Sequence, residues 1–168
     1  MWRLARVLVA ATSVLAALLL LPPPRVAVEA SPGTAGTDSV FVQRMLFDTS
    51  LRSFSRTAVQ HTGPDGRSGD TWFDWSTDFC SAPLVGNTGR TFDFTEPCRR
   101  HDFGYRNTKL LDDRYAVGAW NHMARKRIDQ QFLADMLAHC RSRSIVDRPP
   151  CMGWAYTFYG AVRVAGGP

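Results

Sequence analysis

The sequence has no apolar run long enough to cross a bilayer. Its longest, Val7–Leu21, covers fifteen residues, about 22 Å as a helix against the roughly 30 Å of a hydrocarbon core. Met1–Arg6 places two arginines ahead of this run, Pro22, Pro23 and Pro24 stop it, and Val28-Glu29-Ala30 follows with small residues flanking Glu29. A positive start, an apolar middle and a small-residue cleavage site make a secretory signal peptide, so residues 1–30 are expected to be removed on export. Strong charge is also lacking. Without residues 1–30, Lys+Arg falls from 20 to 17 and Asp+Glu from 15 to 14, a net +3. That charge suits an anionic surface or a phosphate-bearing substrate, but it is no nucleic-acid signature.

Cysteine is scarce and its spacing argues against a structural zinc site, since no two of Cys80, Cys98, Cys140 and Cys151 stand at zinc-ligand separation. An even number in an exported chain points to two disulfides. Three pairings are open. Cys80–Cys98 with Cys140–Cys151 closes the shortest loops and is preferred.

Repeats and strand-rich segments are absent too, which leaves an all-α reading. Residues 31–39 are rich in Gly, Ser, Thr and Pro and read as a disordered start or short propeptide. Apolar spacing predicts a helix over Phe41–Gln60, a turn-rich loop over His61–Asp70 and an ordered loop over Trp72–Phe94. A helix should start with Thr95 as N-cap and Pro97 in its first turn, and run to about Lys109. Leu111–Gly118 reads as a linker. Ala119–Cys140 is the longest expected helix, with Ala124, Ile128, Phe132, Met136 and Cys140 recurring every four residues. Ser142–Pro150 is expected as a loop ended by two prolines, and Cys151–Val164 as a last short helix.

Two features do not suit a plain helical bundle. Cys98, His101, Asp102 and Tyr105 share one helix face, and a disulfide at Cys98 would turn that face inward. Burying a histidine and a carboxylate without partners costs several kcal/mol, roughly, so partners are required. Asp129 lies beside the apolar stripe of the long helix and can accept from His101, leaving the other ring nitrogen as a base. Alternatively Asp129 pairs with Arg125 or Lys126 on its own helix. Asp102 is turned about 100° from His101, toward the loop ending in Asp74-Trp75-Ser76-Thr77-Asp78. Asp78 and Asp102 with carbonyls and water make an oxygen-donor set suited to Ca2+. So few carboxylates imply an affinity around 10⁻⁴–10⁻³ M.

The stretches Phe73–Cys80 and Cys98–Asn107, the latter reading CRRHDFGYRN, resemble the signature of the compact secreted phospholipase A2 family of bacteria and fungi. Arg127-Ile128-Asp129 with Phe132 and Asp135-Met136 resembles its next helix, and Trp154-Ala155-Tyr156 its C-terminal segment. The resemblance implies two long antiparallel helices carrying the site, a calcium loop and two disulfides, Cys80–Cys98 and Cys140–Cys151. Residues 72–168 would be the catalytic core and residues 31–71 an N-terminal extension with a first helix. His101 would be the base that activates water against the sn-2 ester of a glycerophospholipid, and Asp129 would orient it. Asp78 and Asp102 side chains and the Phe79 carbonyl would bind calcium. A secreted, extracellular monomer working peripherally at a phospholipid membrane or micelle surface, without nucleic acid, follows from the same resemblance. Two alternatives are a non-catalytic binding module on this scaffold and a related lipid esterase.

Three departures stand out. Phe79 replaces a usual Leu, the linker around Leu110–Asn121 is longer than the family's, and the segment before Trp72 has no clear counterpart. Among other residues, His61, His122 and His139 suit surface or capping roles. Trp72, Phe73, Trp75, Phe92 and Phe94 are either a membrane-docking rim or core. Arg99 and Arg100 either meet lipid head groups or are solvated.

Overall fold

The computed structural model describes residues 33–80 and 86–165; the expected signal peptide lies outside them. Helix α1 (Ala35–Gln43) starts at Thr34, whose hydroxyl accepts from Thr37 N while the Thr37 hydroxyl accepts from Thr34 N. A π-helical turn, Arg44–Asp48, continues it. There the predicted helix over Phe41–Gln60 breaks: Thr49 turns extended and its hydroxyl bonds back to Arg44 O. Ser50 then caps α2 (Leu51–His61) by accepting from Ser53 N.

A small hairpin follows, β1 (Thr88–Gly89) against β2 (Phe92–Asp93), antiparallel with Thr88 opposite Asp93. Helix α3 (Thr95–Tyr115) comes next. Thr95 is its first residue rather than its cap; the capping bond comes from Asp93 Oδ1, which accepts from Thr95 N. The helix also runs through most of the predicted linker. Leu111 is buried in the core, and Arg114 and Tyr115 reach Asp38 of α1 at 3.2 and 2.8 Å. Ala116, left-handed at φ +51°, ends it.

Asn121 caps α4 (His122–Arg141) through bonds from Met123 N and Ala124 N. Helix α5 (Arg148–Ala165) begins at the two prolines expected to end the preceding loop, because Pro149 and Pro150 fit a first turn whose N–H groups have no partner. Helices α3 and α4 are antiparallel: Arg100 meets Asp135, and five residues on Tyr105 meets Arg125. Gly104 lets them approach. A Cβ there would lie 2.8 Å from Ile128 Cγ2 of α4 and 2.9 Å from Leu46 Cδ2.

The class is all-α, with Cys80–Cys98 and Cys140–Cys151 bonded. The core has two parts. One packs Val42, Leu46, Phe54, Trp75, Phe103 and Ile128 between the first helices and the α3–α4 pair. The other packs Phe92, Phe94, Phe132, Met136 and Phe158 with both buried half-cystines of α4 and α5. Trp75, Phe92 and Phe94 are therefore core, not a docking rim. Arg100 corrects the surface reading as well: it is 3% exposed. Its guanidinium makes two bonds to Asp135, at 2.9 and 2.6 Å, and one to Thr49 O.

Candidate active site

Helix α3 carries His101 and Tyr105 four residues apart, so both side chains project from one face. Asp129 enters from α4 and is fully buried. Its Oδ1 lies 2.8 Å from His101 Nε2 and accepts the Tyr105 hydroxyl at 2.7 Å. Its Oδ2 accepts from Arg163 Nη1 of α5 at 2.6 Å. Arg125, one of the two expected rival partners, also pairs with that oxygen at 3.8 Å, while its hydrogen bond goes to the Tyr105 oxygen. Burial alone would push the Asp129 carboxyl up; the bonds from His101, Arg163 and Tyr105 outweigh it and hold the carboxyl below its ordinary range.

An ionised carboxylate can only accept. The proton between the two residues therefore sits on His101 Nε2, and in the neutral form of the ring Nδ1 carries the lone pair. The imidazole is clamped between the Tyr105 ring at 4.4 Å and the Phe132 ring at 4.7 Å. An imidazole fixed in orientation, with one nitrogen committed to a buried anion, is the arrangement a general base requires.

Around the helix, Asp102 meets the loop stapled by Cys80–Cys98. Its Oδ2 accepts from the Thr77 hydroxyl at 2.7 Å and from Asp78 N at 3.2 Å. Asp78 thus approaches Asp102 through its main chain, while its exposed carboxylate accepts from Arg106 at 3.0 Å. Phe79 is left-handed, φ +58°, a conformation that a bulky residue adopts only when its surroundings impose it. Burial pushes the Asp102 carboxyl up to about 7, with the Asp78 charge adding to the rise and the Thr77 bond and Arg106 opposing it. A carboxyl so disfavoured as an anion is one that a cation would relieve. Among the described residues no three His, Cys, Asp or Glu side chains converge. A metal here would therefore be held by two carboxylates and main-chain oxygens, a donor set for a hard cation.

Asn107 holds this loop to the helix. Fully buried, it accepts from Asp74 N at 2.9 Å and donates to Asp74 O at 2.7 Å. Asn107 lies inside the CRRHDFGYRN motif and Arg163 in the last helix, yet no spacing in the sequence marks either as part of the site. Arg99 lies over the Phe79 ring at 5.2 Å and within 3.3 Å of Glu96, so it is partnered rather than solvated. His61 stacks on Trp75, and His139 accepts from Asp93 N.

Comparison with known proteins decides the family. The model of the prokaryotic phospholipase A2 family matches residues 42–166. The chain belongs to the prokaryotic phospholipase A2 family. This phospholipase is 30% identical over 156 residues to a secretory phospholipase A2 of Arthroderma benhamiae, covering 90% of its own length and 95% of the relative's. It is 34% identical over 124 residues to a secretory phospholipase A2 of Beauveria bassiana, covering 74% of its own length and 56% of the relative's. The phospholipase is thus an ester hydrolase, and the matched residues include both helices that carry His101 and Asp129.

Proposed function

We propose that this phospholipase A2 is exported and hydrolyses the sn-2 ester of glycerophospholipids with His101 as base, Asp129 as its orienting carboxylate and Ca2+ as cofactor. The observation that carries the reading is the commitment of His101 Nε2 to a buried, ionised Asp129. Nδ1 is then the nitrogen that takes a proton from water as the water attacks the ester carbonyl. Asp129 stabilises the imidazolium that forms, and the same proton is afterwards returned to the departing lysophospholipid oxygen. Asp78 and Asp102 with the Phe79 carbonyl would hold calcium. When bound, the ion supplies Lewis-acid polarisation of the ester carbonyl and a counter-charge for the phosphate.

Residues 1–30 are read as the export signal, residues 31–71 as an extension with the first helices and residues 72–168 as the catalytic core. Two disulfides fit an oxidising destination. The enzyme would work as a monomer, docked peripherally on a membrane or micelle. A lipid-binding scaffold without turnover has no need of the oriented imidazole.

The test is regiochemistry. Incubated with a phospholipid labelled differently on its two acyl chains, the enzyme should release the sn-2 acid and leave the sn-1 lysolipid. Activity should vanish with excess chelator and in His101→Ala. Release of the sn-1 acid, or rates unchanged by chelator, would overturn the corresponding part.

A further inference from the structure

The last turn of α5 reaches into the dyad. Asp129 has no water-exposed surface, so each of its oxygens must be satisfied by protein. His101 and Tyr105 both use Oδ1. Oδ2 has a hydrogen bond from Arg163 Nη1, and its next nearest cation, Arg125 Nε, stands 3.8 Å away. A carboxylate held at one oxygen can still rotate about its Cβ–Cγ bond. Held at both, its plane is fixed, and so is the direction along which His101 points.

Arg163 is itself held in place. Arg125 Nη2 donates to Val162 O at 2.9 Å and to Arg163 O at 2.8 Å. These are carbonyls in the last described turn of a helix, where the carbonyl dipoles attract a cation. Arg125 stands one turn before Asp129 on α4. One helix therefore carries the carboxylate and also fixes the backbone of the arginine that grips it. Cys140–Cys151 joins the same two helices at their other ends.

We propose that Arg163 is a positioning residue of the His101–Asp129 dyad, making the last turn of α5 part of the active site. The inference rests on the reading of that dyad as the catalytic pair. Arg163 touches no reacting atom; it acts through Asp129. Its loss leaves Oδ2 to swing toward Arg125 and takes Oδ1 off line from His101 Nε2. A misplacement of that size costs on the order of 10- to 100-fold in turnover.

The test compares the full-length wild type with Arg163→Met, Arg163→Lys, Asp129→Asn and the Arg163→Met/Asp129→Asn double variant. A short-chain phosphatidylcholine below its micellar concentration serves as substrate, and melting temperatures are recorded. Arg163→Met should lose about 10- to 100-fold in kcat with KM within about two-fold. Arg163→Lys should recover part of the loss, because a single N–H···O contact is involved rather than a two-pronged one. The double variant should be no slower than Asp129→Asn alone, since both changes damage one unit. A folded Arg163→Met with wild-type kcat, or a full extra loss in the double variant, would overturn the proposal while Asp129→Asn remained slow. Wild-type turnover in Asp129→Asn would instead sink the dyad reading, and this inference with it. If Arg163→Met does not fold, Arg163→Gln keeps a neutral donor and is judged by the same kcat criterion.

Discussion

His101 and Tyr105 converge on the same oxygen of Asp129, at 2.8 and 2.7 Å. One carboxylate oxygen thus orients His101 and is itself steadied by Tyr105, one turn on from His101 along α3. In Tyr105→Phe the ring contacts to His101 and Trp120 persist while the donor to Asp129 and the acceptor of the Arg125 bond are lost. The expected result is a fall in kcat of roughly 5- to 10-fold, about 1 kcal/mol, with little change in melting temperature. Asp129→Asn should be far more severe. An amide can donate toward Nε2 and so favour the wrong tautomer, a change that costs about 10⁴-fold in the serine-protease triad. Steady-state rates on one dispersed substrate compare the two.

Asp102 makes stability depend on pH. Its folded-state carboxyl, pushed up to about 7 from 3.8, holds a proton that the unfolded chain has released. That contribution is complete below pH 4 and is lost as pH rises through 7, at roughly 1.4 kcal/mol per unit. With chelator present, Asp102→Asn should therefore gain stability over wild type at pH 8 and show little gain at pH 4. Calcium should stabilise wild type more at pH 8 than at pH 5, because at the lower pH it competes with a proton. Thermal melts at the three pH values, with and without calcium, read both effects.

Arg100 offers a clean separation of fold from surface. Arg100→Ala leaves Asp135 buried without its partner, at a cost of about 3–5 kcal/mol. The melting temperature should drop sharply while the folded fraction binds anionic vesicles as wild type does. Vesicle binding lost without destabilisation would restore the head-group role.

Asn107→Leu removes both bonds to Asp74 and frees the start of the proposed calcium loop. Calcium affinity, read by titration calorimetry, should weaken by about 10-fold or more. The rate at saturating calcium should fall less.

Much of this arrangement was legible in the sequence because it depends on local spacing. The helical period put Cys98, His101, Asp102 and Tyr105 on one face, and it placed Asp129 beside an oily stripe. Loop length picked the two disulfides. The end of α3 was not legible, because Arg114 and Tyr115 read as linker until Asp38, over seventy residues earlier, supplies their partner. The break at Thr49 depends on side-chain bonds to nearby main chain, which hydrophobic periodicity does not register. Arg163 was hidden for another reason: the register of α5 against α4 is fixed by packing and a disulfide, and no periodicity within either helix encodes it. Arg100 looked like a surface charge because its acceptor, Asp135, belongs to another helix.

The missing methyl of Gly104 acts as a gauge for the active site. Gly104 sits three residues after His101, and Ile128, which its Cβ would strike, is the residue just before Asp129. The spacing between His101 and Asp129 is therefore set where the side chains of Ile128 and Leu46 meet the bare Cα of Gly104. The alignment of the proposed dyad is gauged by a hydrocarbon clearance, and a single added carbon would open it.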